Sequence, residues 1–104
     1  MNFKRNQFRN YANQFPDRKF VLVGDSGQHD AEAYASIMTS DLSERIQCIF
    51  IRKVHGDWVR REKPKNTNKR FQIAFAKVPK NKWYAFDKPE ELYEIDIKSG
   101  KCRK

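Results

Sequence analysis

Asp25 and Asp30 stand five residues apart in the run Phe20-Val21-Leu22-Val23-Gly24-Asp25-Ser26-Gly27-Gln28-His29-Asp30, directly after an apolar, β-prone stretch. Two carboxylates on one turn, with the small Ser26-Gly27 pair between them, suit a hard cation that takes oxygen ligands. In a parallel α/β sheet, ligands sit just beyond the carboxyl ends of the strands, which is where Asp25 falls.

The same turn spells Gly-Asp-Ser-Gly, as serine hydrolases do, but nucleophilic catalysis by Ser26 lacks its apparatus. Beyond His29, within the motif itself, the chain holds only His55, set among basic residues with no acid placed to orient it. A triad needs base and orienter together. The two histidines are also too far apart, without a carboxylate pattern, to read as a zinc centre. His29 reads as a polar turn residue.

The formal net charge is +9, and one stretch carries it. Residues 1–51 hold six basic and six acidic side chains, and 83–104 hold five of each, whereas 52–82 hold eleven basic against two acidic. Such a stripe suits anionic partners: nucleic acid, acidic lipid headgroups or phosphorylated substrates. Arg52, Lys53, Arg60, Arg61, Lys63 and Lys65 are its candidate anion-binding residues, and a merely solvated loop is the competing reading. Trp58 reads as an exposed ring, while Phe71 and Trp83 fall inside periodic elements and read as core.

With 104 residues and 38% hydrophobic content, the chain supports one domain over 1–104 with a single core. Cys48 lies in an apolar strand and Cys102 in a charged tail, which reads as reduced cysteines and an intracellular, cytoplasmic protein. No apolar run reaches membrane-spanning length.

Apolar spacing predicts an amphipathic helix over 3–14, ended by Pro16. Lys19–Val23 reads as a strand covered on both faces. Asp30 is placed as an N-cap before Ala31–Met38. Ile46–Ile51 is a second buried strand, 54–66 a basic surface loop, Asn66–Lys77 a helix with Phe71, Ala74, Phe75 and Val78 on one side, and Trp83–Phe86 a third strand. Pro89 then opens a short helix. The alternation implies an α/β fold: a small three-layer parallel sheet of about three strands flanked by helices.

Lys4, the Phe15-Pro16-Asp17-Arg18-Lys19-Phe20 turn, the run Val21 to Asp30, Tyr34 and Ile49-Phe50-Ile51-Arg52-Lys53-Val54 together resemble the catalytic domain of actin-patch-type phosphatidate phosphatases, lipin-like members of the haloacid dehalogenase superfamily. A looser echo runs through Arg70-Phe71, Phe75, Pro79, Trp83, Phe86, Pro89 and Glu91-Leu92. The resemblance implies the carboxy-terminal half of a Rossmann-like phosphatase domain. It implies that Asp25 and Asp30 are magnesium-motif acids and that Lys4 neutralises the phosphoryl group. The superfamily's nucleophile sits in Asp-x-Asp-x-Thr ahead of that lysine, and this sequence contains no Asp-x-Asp pair. The expectation is therefore a truncated or split domain, inactive alone, with weak magnesium affinity. A homodimer or a partner chain would supply the missing strand at the unpaired edge of Lys19–Val23. The alternatives are a non-catalytic module for nucleic acid or anionic lipid, and a protein-interaction domain.

Overall fold

A computed structural model describes residues 2–27, 29–54 and 66–103. The basic segment 55–65, with His55, Trp58, Arg60, Arg61, Lys63 and Lys65, lies outside the described residues, as does most of the loop expected over 54–66.

Three parallel strands form one sheet in the order β1-β2-β3: β1 is Phe20–Asp25, β2 Ile46–Arg52 and β3 Trp83–Phe86. The register sets Val21 beside Cys48, Val23 beside Phe50 and Asp25 beside Arg52, while Arg52 meets Phe86 on the far side. All three strands therefore finish at one end of the sheet. The central strand alternates between two cores, as period-2 side-chain geometry requires. Ile49 and Ile51 point to one face and Cys48 and Phe50 to the other, all four fully buried.

The first face is covered by α1 (Asn2–Gln14), α2 (Asp30–Met38) and α3 (Asn68–Ala74). Helix α1 puts Phe8 edge-on to Phe20 at 5.2 Å, with Ala12 one turn further along the same stripe. Helix α3 starts where Thr67 Oγ1 accepts the Arg70 N–H, a side-chain N-cap. It buries Phe71 and is followed by Phe75, whose ring stacks on Trp83 at 4.7 Å. This helix is shorter at both ends than the expected Asn66–Lys77. The Thr67 cap fixes its start, and Pro79 disfavours helical backbone at Val78, so Val78 reaches the core from a turn.

Among the described residues, the second face is covered over β2 and β3, by the segment that follows. Helix α4 (Glu90–Tyr93) and a 3-10 turn at Ile97–Ser99 bring Leu92, Ile95 and Ile97 against Phe50 and Phe86. Glu91 shapes the start of α4 by accepting N–H bonds from Asp87 and Lys88 and the Tyr84 hydroxyl at 2.9 Å. Pro89 precedes the helix as expected.

Two expectations are corrected here. Cys48 and Cys102 are not separate thiols: they form a disulfide, because the charged tail folds back across β2 and buries Cys102 beside Cys48. Nor is β1 covered on both faces. It is the outer strand, and its second face leaves Val21 39% and Val23 57% exposed, since the carboxy-terminal segment does not reach that far.

Arg9 on α1 donates both Nη groups to Asp41 just past α2, at 2.9 and 3.0 Å. That fork holds the Asp41 carboxyl below its ordinary range, first through the hydrogen bonds from Arg9. A depressed carboxyl contributes stability above its unfolded pKa of 3.8, and the contribution fades as pH falls through the lower folded value. Asp41→Asn is therefore expected to make unfolding less pH-sensitive below 3.8, measured as midpoint against pH; parallel curves for variant and wild type would contradict it.

Candidate active site

The carboxyl end of β1 carries the acids. Asp25 is the last residue of the strand, and its Oδ1 accepts the Gly27 N–H at 2.9 Å, closing a side-chain-stabilised turn. Asp30 opens α2 and turns its carboxylate back towards the strand, with Oδ2 accepting the Asp25 N–H at 3.0 Å. The helix reached by this turn has no side-chain cap, so Asp30 is not the expected N-cap. A buried carboxylate is better satisfied by a cation and a strand amide than by its own helix.

The cation is Lys4. Its Nζ lies 2.8 Å from Asp30 Oδ1 and 5.6 Å from the Tyr34 ring centre. The hydrogen bond to Asp30 keeps the lysine protonated to a pH above its ordinary value, outweighing partial burial. Tyr34, one turn after Asp30 on α2, donates its hydroxyl to the Val23 carbonyl at 3.0 Å. Burial and then the Asp30 charge push that phenol up, so it stays a donor. Since Ser26 N–H bonds inward to Arg52 C=O, strand alternation turns the main-chain groups of Val23 and Asp25 outward. Tyr34 and Asp30 thus occupy two positions on the outer edge of β1.

Gly24 is required by this arrangement. A Cβ there would lie 2.7 Å from both Asp30 Cβ and Asp30 Oδ2, too close for a real contact. Gly24→Ala is expected to push Asp30 off the strand and cost about 1–3 kcal/mol. Faster hydrogen exchange at the Asp25 amide would report it, and an unchanged Asp25 amide would contradict it.

Ser26 is 1% exposed and bonded on every side. Its hydroxyl accepts the Val54 N–H at 2.9 Å and donates to Asn66 Oδ1. Its carbonyl accepts Arg70 Nη1 at 2.7 Å. This serine is a structural hub; no His among the described residues bonds its hydroxyl. Arg70 also forks onto Glu32, with Nη2 to Oε1 at 2.9 Å and Nε to Oε2 at 3.3 Å. Burial, the largest single cause, raises the Glu32 carboxyl, but the Arg70 bonds, a main-chain hydrogen bond and the charges of Arg70 and His29 together outweigh it, and the net shift is downward.

Of the expected anion-binding residues, Arg52 is exposed at the end of β2 and in register with Asp25. Lys53 is partly buried, its Nζ 3.8 Å from Asp87 Oδ2. His29 is an exposed turn residue before α2. Glu32 and Asn66 were not legible as site residues, since their partners lie 38 and 40 positions away.

Among the described residues no group of three His, Cys, Asp or Glu side chains forms a metal-holding cluster. Both Asp30 oxygens are already engaged, and Asp25 Oδ2 takes no hydrogen bond or ion pair from the described residues. A carboxylate oxygen is the type of donor that a hard cation such as magnesium takes.

A parallel α/β sheet whose outermost strand ends in paired acids, with a lysine brought in from the preceding helix, gathers charged side chains at the carboxyl end of β1. Residues 1–53 match the family described as "Phosphatidate phosphatase APP1, catalytic domain", and the chain belongs to that family. It is 43% identical over 51 residues to the Saccharomyces cerevisiae protein named Phosphatidate phosphatase APP1, covering 49% of this chain and 8% of that protein. An uncharacterised Schizosaccharomyces pombe protein is 42% identical over 55 residues, covering 53% of this chain and 9% of the relative. The chain thus matches only a small part of the length of these curated relatives. No solved structure matches it.

Proposed function

We propose that this chain supplies the lysine-and-acid half of a phosphatidate-phosphatase-type site and does not turn over substrate alone. The observation that carries the reading is the 2.8 Å ion pair between Lys4 and Asp30, which brings α1 to the strand-end acids in a chain of this family. Asp25 would hold a magnesium ion through Oδ2, and Asp30 would orient Lys4 rather than bind metal itself. Bound there, magnesium would neutralise charge on a phosphoryl group. Lys4 would place its ammonium beside the same group, and Arg52 adds a second cation at the sheet's end.

Covalent phosphoryl transfer also needs a nucleophile, which the sequence lacks as an Asp-x-Asp pair. The reading is supported by the place of β1 as the outer strand of the sheet, with Val21 and Val23 exposed on its second face. A strand from a partner chain carrying the nucleophile would replace the side-chain bonds that Tyr34 and Asp30 make there. Mixing this chain with a polypeptide bearing Asp-x-Asp-x-Thr should produce magnesium-dependent phosphate release that is lost on Asp25→Asn. Release that survives Asp25→Asn would remove the assigned role.

The family assignment favours an anionic lipid over nucleic acid as partner of the basic stretch. Retention on phosphatidate vesicles over phosphatidylcholine vesicles at equal salt checks this, and salt-sensitive binding to nucleic acid with no lipid preference would reverse it. No helix among the described residues is long and apolar enough to cross a membrane.

A further inference from the structure

We infer that Arg70, Glu32 and Asn66 form a clamp that sets the distance between the Asp25 turn and the start of α2, which makes them positioning residues for the cation at Asp25. The inference rests on the metal reading above for its consequence, though not for its geometry. Ser26 follows Asp25 directly, and Glu32 sits two residues beyond Asp30 on the same helix. Arg70 touches both: Nη1 holds the Ser26 carbonyl at 2.7 Å while Nε and Nη2 fork onto the Glu32 carboxylate. One guanidinium therefore ties the element carrying Asp25 to the element carrying Asp30.

The base of the clamp is rigid. Thr67 caps the Arg70 amide, and the neighbouring Phe71 is 1% exposed in the first core. Arg70 itself keeps only 16% of its side chain exposed, so its fork is shielded from competing water. Asn66 works from the other side. Its Oδ1 accepts the Ser26 hydroxyl, and its Nδ2 donates to the Val54 carbonyl at 3.0 Å, while Val54 N–H returns to Ser26 Oγ at 2.9 Å. The exit of β2, residue 66 and α3 thus converge on the residue beside Asp25. None of these bonds reaches a ligand; their effect on a cation runs through the turn.

For Arg70, charge alone and positioning predict opposite signs, whereas for Glu32 both predict weaker binding, so the Arg70 variants decide between them. Removing a positive guanidinium near two carboxylates would, by Coulomb's law, tighten cation binding. Removing a positioning group loosens it, and supporting residues around a metal ligand typically change affinity 10- to 100-fold. The probe is Mn2+ added to the full chain, followed by paramagnetic broadening of the Asp25 and Asp30 amide resonances. The control is hydrogen exchange of the metal-free chain. Arg70→Gln is expected to weaken Mn2+ binding about tenfold, and Glu32→Gln to do the same. The double variant should cost no more than either single, because both break one unit. Arg70→Lys, which keeps the charge and loses the fork, should not rescue. In the metal-free variants, Ser26, Gly27 and Val54 amides should exchange about tenfold faster, with Ile49 and Ile51 unchanged as a check on folding.

Tighter Mn2+ binding in Arg70→Gln, or unchanged exchange at Ser26 and Gly27 in both single variants, overturns the clamp. A wild-type chain that binds no Mn2+ but whose variants show the faster exchange removes the cation reading and leaves the clamp standing.

Discussion

Truncating Phe71 to alanine is expected to destabilise the domain by about 3–5 kcal/mol, the usual cost of removing a fully buried aromatic ring. The ring is 1% exposed, lies 6.4 Å from the Trp83 ring and anchors α3 on the first face of the sheet. A domain of this size has roughly 5–15 kcal/mol in hand, so the loss is a large share of the whole. The effect also reaches the site, since Phe71 fixes the helix that also carries Arg70. A urea titration followed by tryptophan fluorescence measures the cost, and a change below about 1 kcal/mol would mean that α3 does not pack as described.

The second large effect belongs to the opposite face. Reducing the Cys48–Cys102 bond, or replacing Cys102 with serine, is expected to cost about 4 kcal/mol, because the bond closes a loop between residues 54 positions apart. Reduction should free the tail from about Ile95 onward and uncover Phe50 and Phe86, which share that core. Urea titrations with and without a phosphine reductant give the number. Equal midpoints would show that the tail is held by packing alone. Phe71 and Cys102 lie in separate cores on opposite sides of β2, so their costs should add, and the double variant should be largely unfolded at 25 °C.

The parts of the fold legible in the sequence are those governed by local pattern. β2 follows from an apolar run interrupted only by Gln47, and its burial on both faces is what such a run demands. α1 and α2 follow from apolar spacing and from the Pro16 and Gly-rich breaks. β1 misled because an equally apolar run sits at the sheet's outer edge; composition does not report which strand is outermost. The cysteine pair was hidden for a related reason. Cys102 stands among charges in sequence, and only the return of the tail across β2 takes it out of water.

The candidate site divides in the same way. Asp25 and Asp30 are visible as spacing on one turn, and Lys4 gains meaning only beside them. The sequence also suggested that Asp30 caps its own helix, a local rule overridden by a non-local cation and by a strand amide. Arg70, Glu32 and Asn66 carry no local signature, because their geometry exists only when α3 is laid against α2. Gly24 could be read as a turn residue, yet its real constraint is the side chain of Asp30 pressed against it.

The most direct test is phosphate release by the chain alone. Purified protein would be incubated with phosphatidate in mixed micelles and magnesium, and inorganic phosphate measured against an Asp25→Asn control. No release above that control is the expected result, with release appearing only when a chain carrying the Asp-x-Asp-x-Thr strand is added. Magnesium-dependent turnover by the isolated chain, abolished in Asp25→Asn, would contradict the half-site account.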